Sequence, residues 1–491
     1  MKGVLILSRG VRLAPIFRAM ARELAREHEV VVAINTVFPG EETAFWRDAP
    51  GVTVIDFAAA MERSLRKIQG SPTDLLRQIE SLTGLPLYKS TSNYQLYRRL
   101  YESYFGHWPW GSYYAVEKDI IREYVGSYLV LSEILDRYEV DVVFYEAIDL
   151  ISTYLALALA YQRGTFAFGI YFAAAVGDGK VFLQYGVHRR NILLEHLYAH
   201  PHLISAESRA AAARLLTQLE QDAWEEMSVI RSYKQRTEAP FLRSPLRLLG
   251  TALSPRTWLH PRQAVRGLQN KVWLARHLHK TPPPEPFLAF LLHHQPEASL
   301  CSAAPRWVDQ DRIVEQLAIN APYGLKIAVK ENPITYGARG KVYFGPLASL
   351  PNVYLCHPAV DSYDLARRAE AVLTVTGSIG IEAALLGRRV AVLGRPYYAC
   401  FEGVRRLDRP EEIFDALQDS SWDPKSLAEE RRRFAAAYVE SVCEIGPVEP
   451  GRKWPAPDVA GAGLAQALRR TMAFVERHSL APANFDPGMR T

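Results

Sequence analysis

The chain has 491 residues, 48% apolar and 23% charged, which is the composition of a globular protein with more than one core. Its four cysteines lie far apart with no CxxC pair, which excludes a disulfide framework and a cysteine zinc site and fits reduced thiols in a cytoplasm. No apolar run approaches the ~18 residues that span a bilayer, and the first, Gly3–Leu7, is too short for a signal peptide.

The first elements alternate. Val4–Leu7 is a strand broken by Ser8, Arg9 and Gly10, Leu13–Glu27 has helical spacing, and Val30–Ile34 and Val52–Phe57 are strands. Strand, turn, helix, strand at this spacing opens a parallel α/β sheet. Residues 72–136 turn helical and carry a dense aromatic set: Tyr94, Tyr97, Tyr101, Tyr104, Phe105, Trp108, Trp110, Tyr113 and Tyr114. Rings at three- and four-residue spacing pack a core, or line an acceptor groove where sugars stack. Val140–Tyr145 is a strand ending on Glu146, with Asp149 just beyond. Ile151–Gln162 is a buried helix, Phe166–Ile170 a strand, and residues 190–233 two helices.

The net charge of +5 hides an asymmetry. Residues 231–280 hold eleven Lys and Arg against one acid, Glu238, a net of +10 that leaves −5 for the rest. Such a segment attracts phosphates, nucleic acid or an anionic membrane surface. Its interleaved Phe241, Trp258, Trp273 and leucines suit an interfacial helix, and a solvated basic connector is the alternative. No nucleic-acid-binding module accompanies it. The run TPPPEP at 281–286 then punctuates the chain.

After it the alternation resumes with strands Phe287–Leu292, Lys326–Val329 and Val353–Leu355 and helices Asp309–Asn320 and Ser362–Arg368. Helices near 425–444 and 459–477 close the chain. Three strand ends carry polar clusters: His293, His294, Gln295 and Glu297; Lys330, Glu331, Asn332 and Pro333; and Thr376, Gly377, Ser378 and Glu382. In open parallel sheets ligands sit at these carboxyl ends. Lys330 can neutralise phosphate, while glycines and hydroxyls before a helix let an anion approach backbone N–H groups. Glu382, one turn in, suits ribose hydroxyls. Together these groups suggest a nucleotide-sugar site with no metal site and no cofactor beyond that substrate.

The order and spacing of QPEAS, VKENP and LPNVYLCHPAVDSYDLARRAEAVLTVTGSIGIEAALLGRRVAVLG, over roughly residues 288 to 400, resemble the bacterial capsule polysaccharide biosynthesis proteins. That family comprises glycosyltransferases of the GT-B fold and includes the Kdo transferases. The resemblance implies two Rossmann-like lobes facing a cleft lined by residues 8–10, 146–149, 293–299, 330–333 and 376–382. The expected divisions are an acceptor lobe over 1–233 with a helical insertion, a basic linker over 234–286, a donor lobe over 287–415, and terminal helices over 416–491. It also implies sugar transfer from a CMP or UDP sugar to a polysaccharide or glycolipid acceptor, while the basic segment suggests a cytoplasmic protein attached peripherally to the inner face of an anionic membrane. The implied donor contacts are Lys330, Asn332, Pro333, Thr376, Gly377 and Ser378, with Gln295, Glu297 and Glu382 beside them. One position departs from the family, whose His-Pro is Asn332-Pro333 here. Asparagine hydrogen-bonds but does not charge near neutral pH, so acid assistance to the leaving phosphate is lost.

An inverting transfer needs a base for the acceptor hydroxyl. Glu146 is the best placed and Asp149 second, since a carboxylate at the mouth of an apolar strand can have a raised pKa. A solvent-facing loop acid is the alternative at both positions. Two other functions fit the same pattern: a non-hydrolysing nucleotide-sugar epimerase, and a non-catalytic carbohydrate- or nucleotide-binding subunit.

Overall fold

The computed structural model describes residues 1–9, 13–35, 43–46, 49–105, 117–221, 261–449, 452, 454–485 and 488. Gly10, Trp108, Trp110, Tyr113, Tyr114 and positions 234–260 of the basic segment lie outside these residues, as do the side chains of Tyr94 and Phe105. The chain divides into two compact units, one of residues 1–95, 110–208 and 437–491, the other of 96–109 and 209–436.

In the first unit the described strands are β1 (Gly3–Ser8), β2 (Glu29–Ile34), β3 (Val52–Asp56), β4 (Val140–Tyr145), β5 (Phe166–Phe172), β6 (Lys180–Tyr185) and a short return strand, Cys443–Glu444. Their order from one edge is the return strand, β6, β5, β4, β1, β2, β3. Strands β1 to β5 pair parallel, with Leu5 opposite Val31 on one side and Val143 on the other. β6 and the return strand pair antiparallel. β1 is buried along its whole length, which is why a strand covered on both faces reads as an unbroken apolar run. Helix Ala14–Leu24 packs on helix Pro457–Arg477. The approach is close at Gly461, where a Cβ would stand 2.4 Å from Ala19 Cβ and 2.8 Å from Ile16 O.

In the second unit the strands are β7 (Phe287–Leu291), β8 (Lys326–Lys330), β9 (Val353–Cys356), β10 (Ala371–Thr374), β11 (Val390–Val392) and β12 (Val404–Arg406). They run in the order β12-β11-β10-β7-β8-β9 and every pairing is parallel. Taking the return strand as β13, both sheets are open and wound in the Rossmann-like manner, as expected. The second core gathers Leu288, Phe290, Val329, Leu355, Leu373 and Trp422, with Leu100 of helix Leu87–Phe105. Tyr97 and Tyr104 pack against it, so these two rings of the aromatic set serve a core.

The local pattern did not single out β6, β12 or β13, nor helices Phe57–Arg66 and Lys341–Ala348. β12 and β13 are two or three residues long and become strands by pairing with a neighbour. Phe57 starts a helix instead of ending β3, because Asp56 Oδ1 accepts from Ala59 N at 2.9 Å and caps it. Helix Lys341–Ala348 contains Pro346, which the sequence argues against. No helix among the described residues is long and apolar enough to cross a membrane.

Candidate functional site

Each sheet has one place where the chain reverses its direction of winding. In the first unit it lies between β1 and β4, and in the second between β7 and β10. Neighbouring crossovers diverge there, so the carboxyl ends of the two strands leave an open crevice. Arg9 follows β1 and Glu146 follows β4. His293 follows β7 and Thr376 follows β10.

The second-unit crevice is internally wired. His293 Nε2 accepts the Thr376 backbone N–H at 3.2 Å and lies 3.4 Å from Thr374 Oγ1. Accepting at Nε2 puts the proton of the neutral ring on Nδ1. Thr374 Oγ1 also accepts from Gly377 N at 3.1 Å, Thr376 Oγ1 donates to Ser299 O at 3.1 Å, and Tyr398 OH donates to Gly377 O at 2.5 Å. The N–H groups of Thr376 and Gly377 therefore hold the loop itself. Ser378 is the exposed member of the motif and stands just before helix Ile379–Leu385. Gly380 is glycine for packing, since a Cβ there would meet Tyr398 OH at 2.1 Å. Glu382 lies in that helix's first turn and is half-buried.

Beneath β8 a buried ion pair sets the next loop. Arg339 Nη1 reaches Glu331 Oε1 at 3.4 Å, with both side chains fully inaccessible, and Arg339 Nη2 donates to His293 O. Glu331 Oε1 also accepts from Asn332 N at 2.5 Å and Thr335 Oγ1 at 3.0 Å. Burial pushes the Glu331 carboxyl up and Arg339 opposes that shift. The guanidinium lies 5.5 Å from the Tyr104 ring and 5.2 Å from the Tyr343 ring. Asn332 closes a turn: its Oδ1 accepts from Ile334 N at 3.0 Å and its Nδ2 donates to Leu292 O at 3.4 Å. Pro333 follows, half-buried. Gln295 is enclosed, its Nε2 donating to Val308 O at 2.5 Å and its Oε1 accepting from Tyr104 OH at 2.9 Å. Glu297 accepts from Ser299 Oγ beside it.

Lys330 is 4% exposed and donates to Ser362 Oγ at 2.7 Å. Its charge registers on His357, at the end of β9, whose pKa falls to about 4 through burial first, with Lys280 and Lys330 adding to it. His357 Nδ1 accepts from Ala359 N at 3.1 Å. Burial also lowers the His294 pKa, against the pull of Glu297.

In the first-unit crevice one guanidinium bridges two carboxylates. Arg9 Nε meets Glu146 Oε2 at 3.0 Å, and Arg9 Nη1 pairs with Asp149 Oδ2. Burial works against the Arg9 charge, and Asp149 and Glu146 more than restore it. Asp149 is the more enclosed acid; burial raises its pKa against the pull of Arg9. A carboxylate with its pKa drawn toward neutrality can accept a hydroxyl proton.

The structure thus places Glu146 and Asp149 together in one unit. In the other it gathers Gln295, Glu297, Lys330, Asn332, Pro333, Thr376, Gly377, Ser378 and Glu382 around neighbouring strand ends. It adds Arg339 and His357 to the second group, and in the first it pairs both acids with Arg9. His357 carried a signal, being the polar residue after an apolar strand. Arg339 carried none, because its partners come from loops 8 and 46 residues away. Among the described residues no group of three or more His, Cys, Asp or Glu could hold a metal ion.

Residues 304–440 match the family described as capsule polysaccharide biosynthesis protein, and the resemblance drawn from the sequence is borne out over that segment. The capsule polysaccharide modification protein LipA of Neisseria meningitidis serogroup A is 30% identical over 125 residues, 26% of this chain and 17% of that protein's length. Among solved structures, a beta Kdo 2,7 transferase, KpsC of Thermosulfurimonas dismutans, is similar with a TM-score of 0.37 and 11% identity, covering 70% of this chain and 89% of that one. A putative UDP-N-acetylglucosamine 2-epimerase of Listeria monocytogenes gives 0.26 and 13%, covering 99% and 98%. Likenesses this distant decide nothing about the reaction.

Proposed function

We propose that this protein is a glycosyltransferase that moves a sugar from a CMP or UDP sugar to a polysaccharide or glycolipid acceptor of the bacterial surface. One observation carries the reading. The matched family segment supplies β8, which ends on buried Lys330, and β10, which exposed Ser378 follows; between them β7 leads to His293, which holds the Thr376 N–H. A buried ammonium under these strand ends attracts the donor's phosphate, and Ser378 adds a hydroxyl donor from the solvent side. The polar floor set by Glu331 and Arg339 keeps the loop in one shape before ligand arrives. No cofactor is called for beyond the nucleotide sugar.

On the acceptor side, Asp149 or Glu146 takes the proton of the attacking hydroxyl, and Arg9 holds the two acids in place. With asparagine at position 332, the leaving phosphate departs by charge stabilisation from Lys330 rather than by acid catalysis. The reaction is placed at the cytoplasmic face of an anionic membrane, which the +10 charge of residues 231–280 supports.

A panel of nucleotides and nucleotide sugars, read as thermal stabilisation, tests the donor. A bound nucleotide at a hundredfold excess over Kd adds about 2.7 kcal/mol of stability. Stabilisation by none of them would sink the proposal. Labelled donor then separates the alternatives: label in a larger glycan supports transfer, an epimerised sugar without acceptor supports an epimerase, and binding without turnover marks a non-catalytic subunit.

A further inference from the structure

Helix Pro261–His277 turns an apolar strip outward. Val265 is 56% exposed, Leu268 and Ala275 are also exposed, and Val272 is half-buried. Their spacing of three, four and three residues puts them on one face. Exposed Arg276 borders the strip and exposed Lys280 follows, while Arg266 donates to Ser103 O at 2.9 Å. Residues 239–284 contain no acidic residue.

The helix is firmly held from behind. Leu274 and Leu278 enter the core of the second unit. Asn270 Nδ2 donates to Gly337 O at 3.0 Å and Ala338 O at 3.1 Å. Just beyond the helix, His279 N donates to Leu355 O at 2.9 Å and so joins the edge of β9. The apolar face is therefore displayed by a folded element.

We propose that this face lies on an anionic lipid surface. Val265, Leu268, Val272 and Ala275 enter the boundary between headgroups and acyl chains, and Arg276 and Lys280 meet lipid phosphates. Charge complementarity selects the anionic surface, since nothing acidic in the segment offsets its cations. The strip selects lipid over nucleic acid, because apolar side chains between arginines add nothing to phosphate-backbone binding, whereas an interfacial helix requires them. The proposal rests on the membrane placement given above and names the element that makes the contact.

The test uses the full chain with vesicles of phosphatidylglycerol and phosphatidylcholine, compared with phosphatidylcholine alone, by co-sedimentation at low and high salt. Binding is expected to the anionic vesicles only and to fall as salt rises. Arg276→Gln should lower the partition constant about fivefold. The pair Val265→Ser and Leu268→Ser, at exposed positions, should lower it at least about tenfold. Val265→Trp should blue-shift when anionic vesicles are added and stay unchanged with neutral ones. Anionic binding that survives the serine pair, with no shift of the tryptophan, would overturn this helix as the contact and leave the membrane placement standing. Absence of anionic binding, or binding of single-stranded DNA in its place, would overturn both. None of these readouts depends on sugar transfer, so failure of the transferase reading shows separately.

Discussion

Replacing Arg339 with methionine should unsettle the second unit more than its distance from solvent suggests. The arginine is fully buried and spans Glu331 Oε1, His293 O and the rings of Tyr104 and Tyr343. Methionine keeps much of the volume and removes the charge, leaving the Glu331 carboxylate enclosed without its cation. Breaking one side of a buried pair costs about 3–5 kcal/mol. Glu331 keeps the Asn332 N–H and the Thr335 hydroxyl, which places the loss near the lower end, about 3 kcal/mol. The loss should depend on pH with a defined sign. Burial already raises the Glu331 pKa and Arg339 holds it down, so the variant's carboxyl titrates higher still. The folded variant then keeps a proton that the unfolded chain releases above the ordinary 4.5, and stability falls as pH rises through the raised folded pKa. Urea unfolding at pH 5 and pH 8 reads this directly, with the larger deficit at pH 8. The double variant Arg339→Met with Glu331→Gln should recover most of the loss, because neither position then holds an unpaired buried charge. A deficit below about 1 kcal/mol, or one equal at both pH values, would refute the role given to the pair.

Three further outcomes follow from the same geometry. His357 is buried and its folded pKa is about 4 against an ordinary 6.5, so its contribution is present above 6.5 and lost as pH falls toward 4. The shift corresponds to roughly 3 kcal/mol, and His357→Gln should flatten the acid limb of a stability–pH curve. Ser378→Ala leaves the fold intact and should weaken nucleotide binding by roughly 1.5–3 kcal/mol in titration calorimetry. Gly377→Val, whose Cβ would sit 2.7 Å from Thr374 Oγ1, should abolish that binding. Equal affinity in Ser378→Ala would reduce the motif to a strand–helix turn. Glu146→Gln and Asp149→Asn should leave nucleotide affinity unchanged, and the one that serves as base should lose turnover. Unaltered turnover in both would remove the acceptor-side assignment.

Much of the fold was open to reading because parallel strands covered on both faces must be apolar throughout. GVLILS, DVVFY, FLAFL and AVLTV announce themselves for that reason. The polar residues after three of them were equally visible, since a charged or hydroxyl side chain at the end of an apolar run has few structural uses. Short edge strands such as Val404–Arg406 gave no such sign, because pairing with a neighbour makes them.

By itself, then, the sequence determined the alternation of strands and helices, the strand ends where chemistry would gather, and the basic segment, all properties of residues close together along the chain. Only the tertiary structure decided that residues 437–491 return to the first unit, that Arg339 lies under His293 and Glu331, and that Arg9 bridges Glu146 and Asp149. Those partners are 8 to 140 residues apart. The winding of each sheet brings them together, and spacing along the chain carries no record of which strands become neighbours.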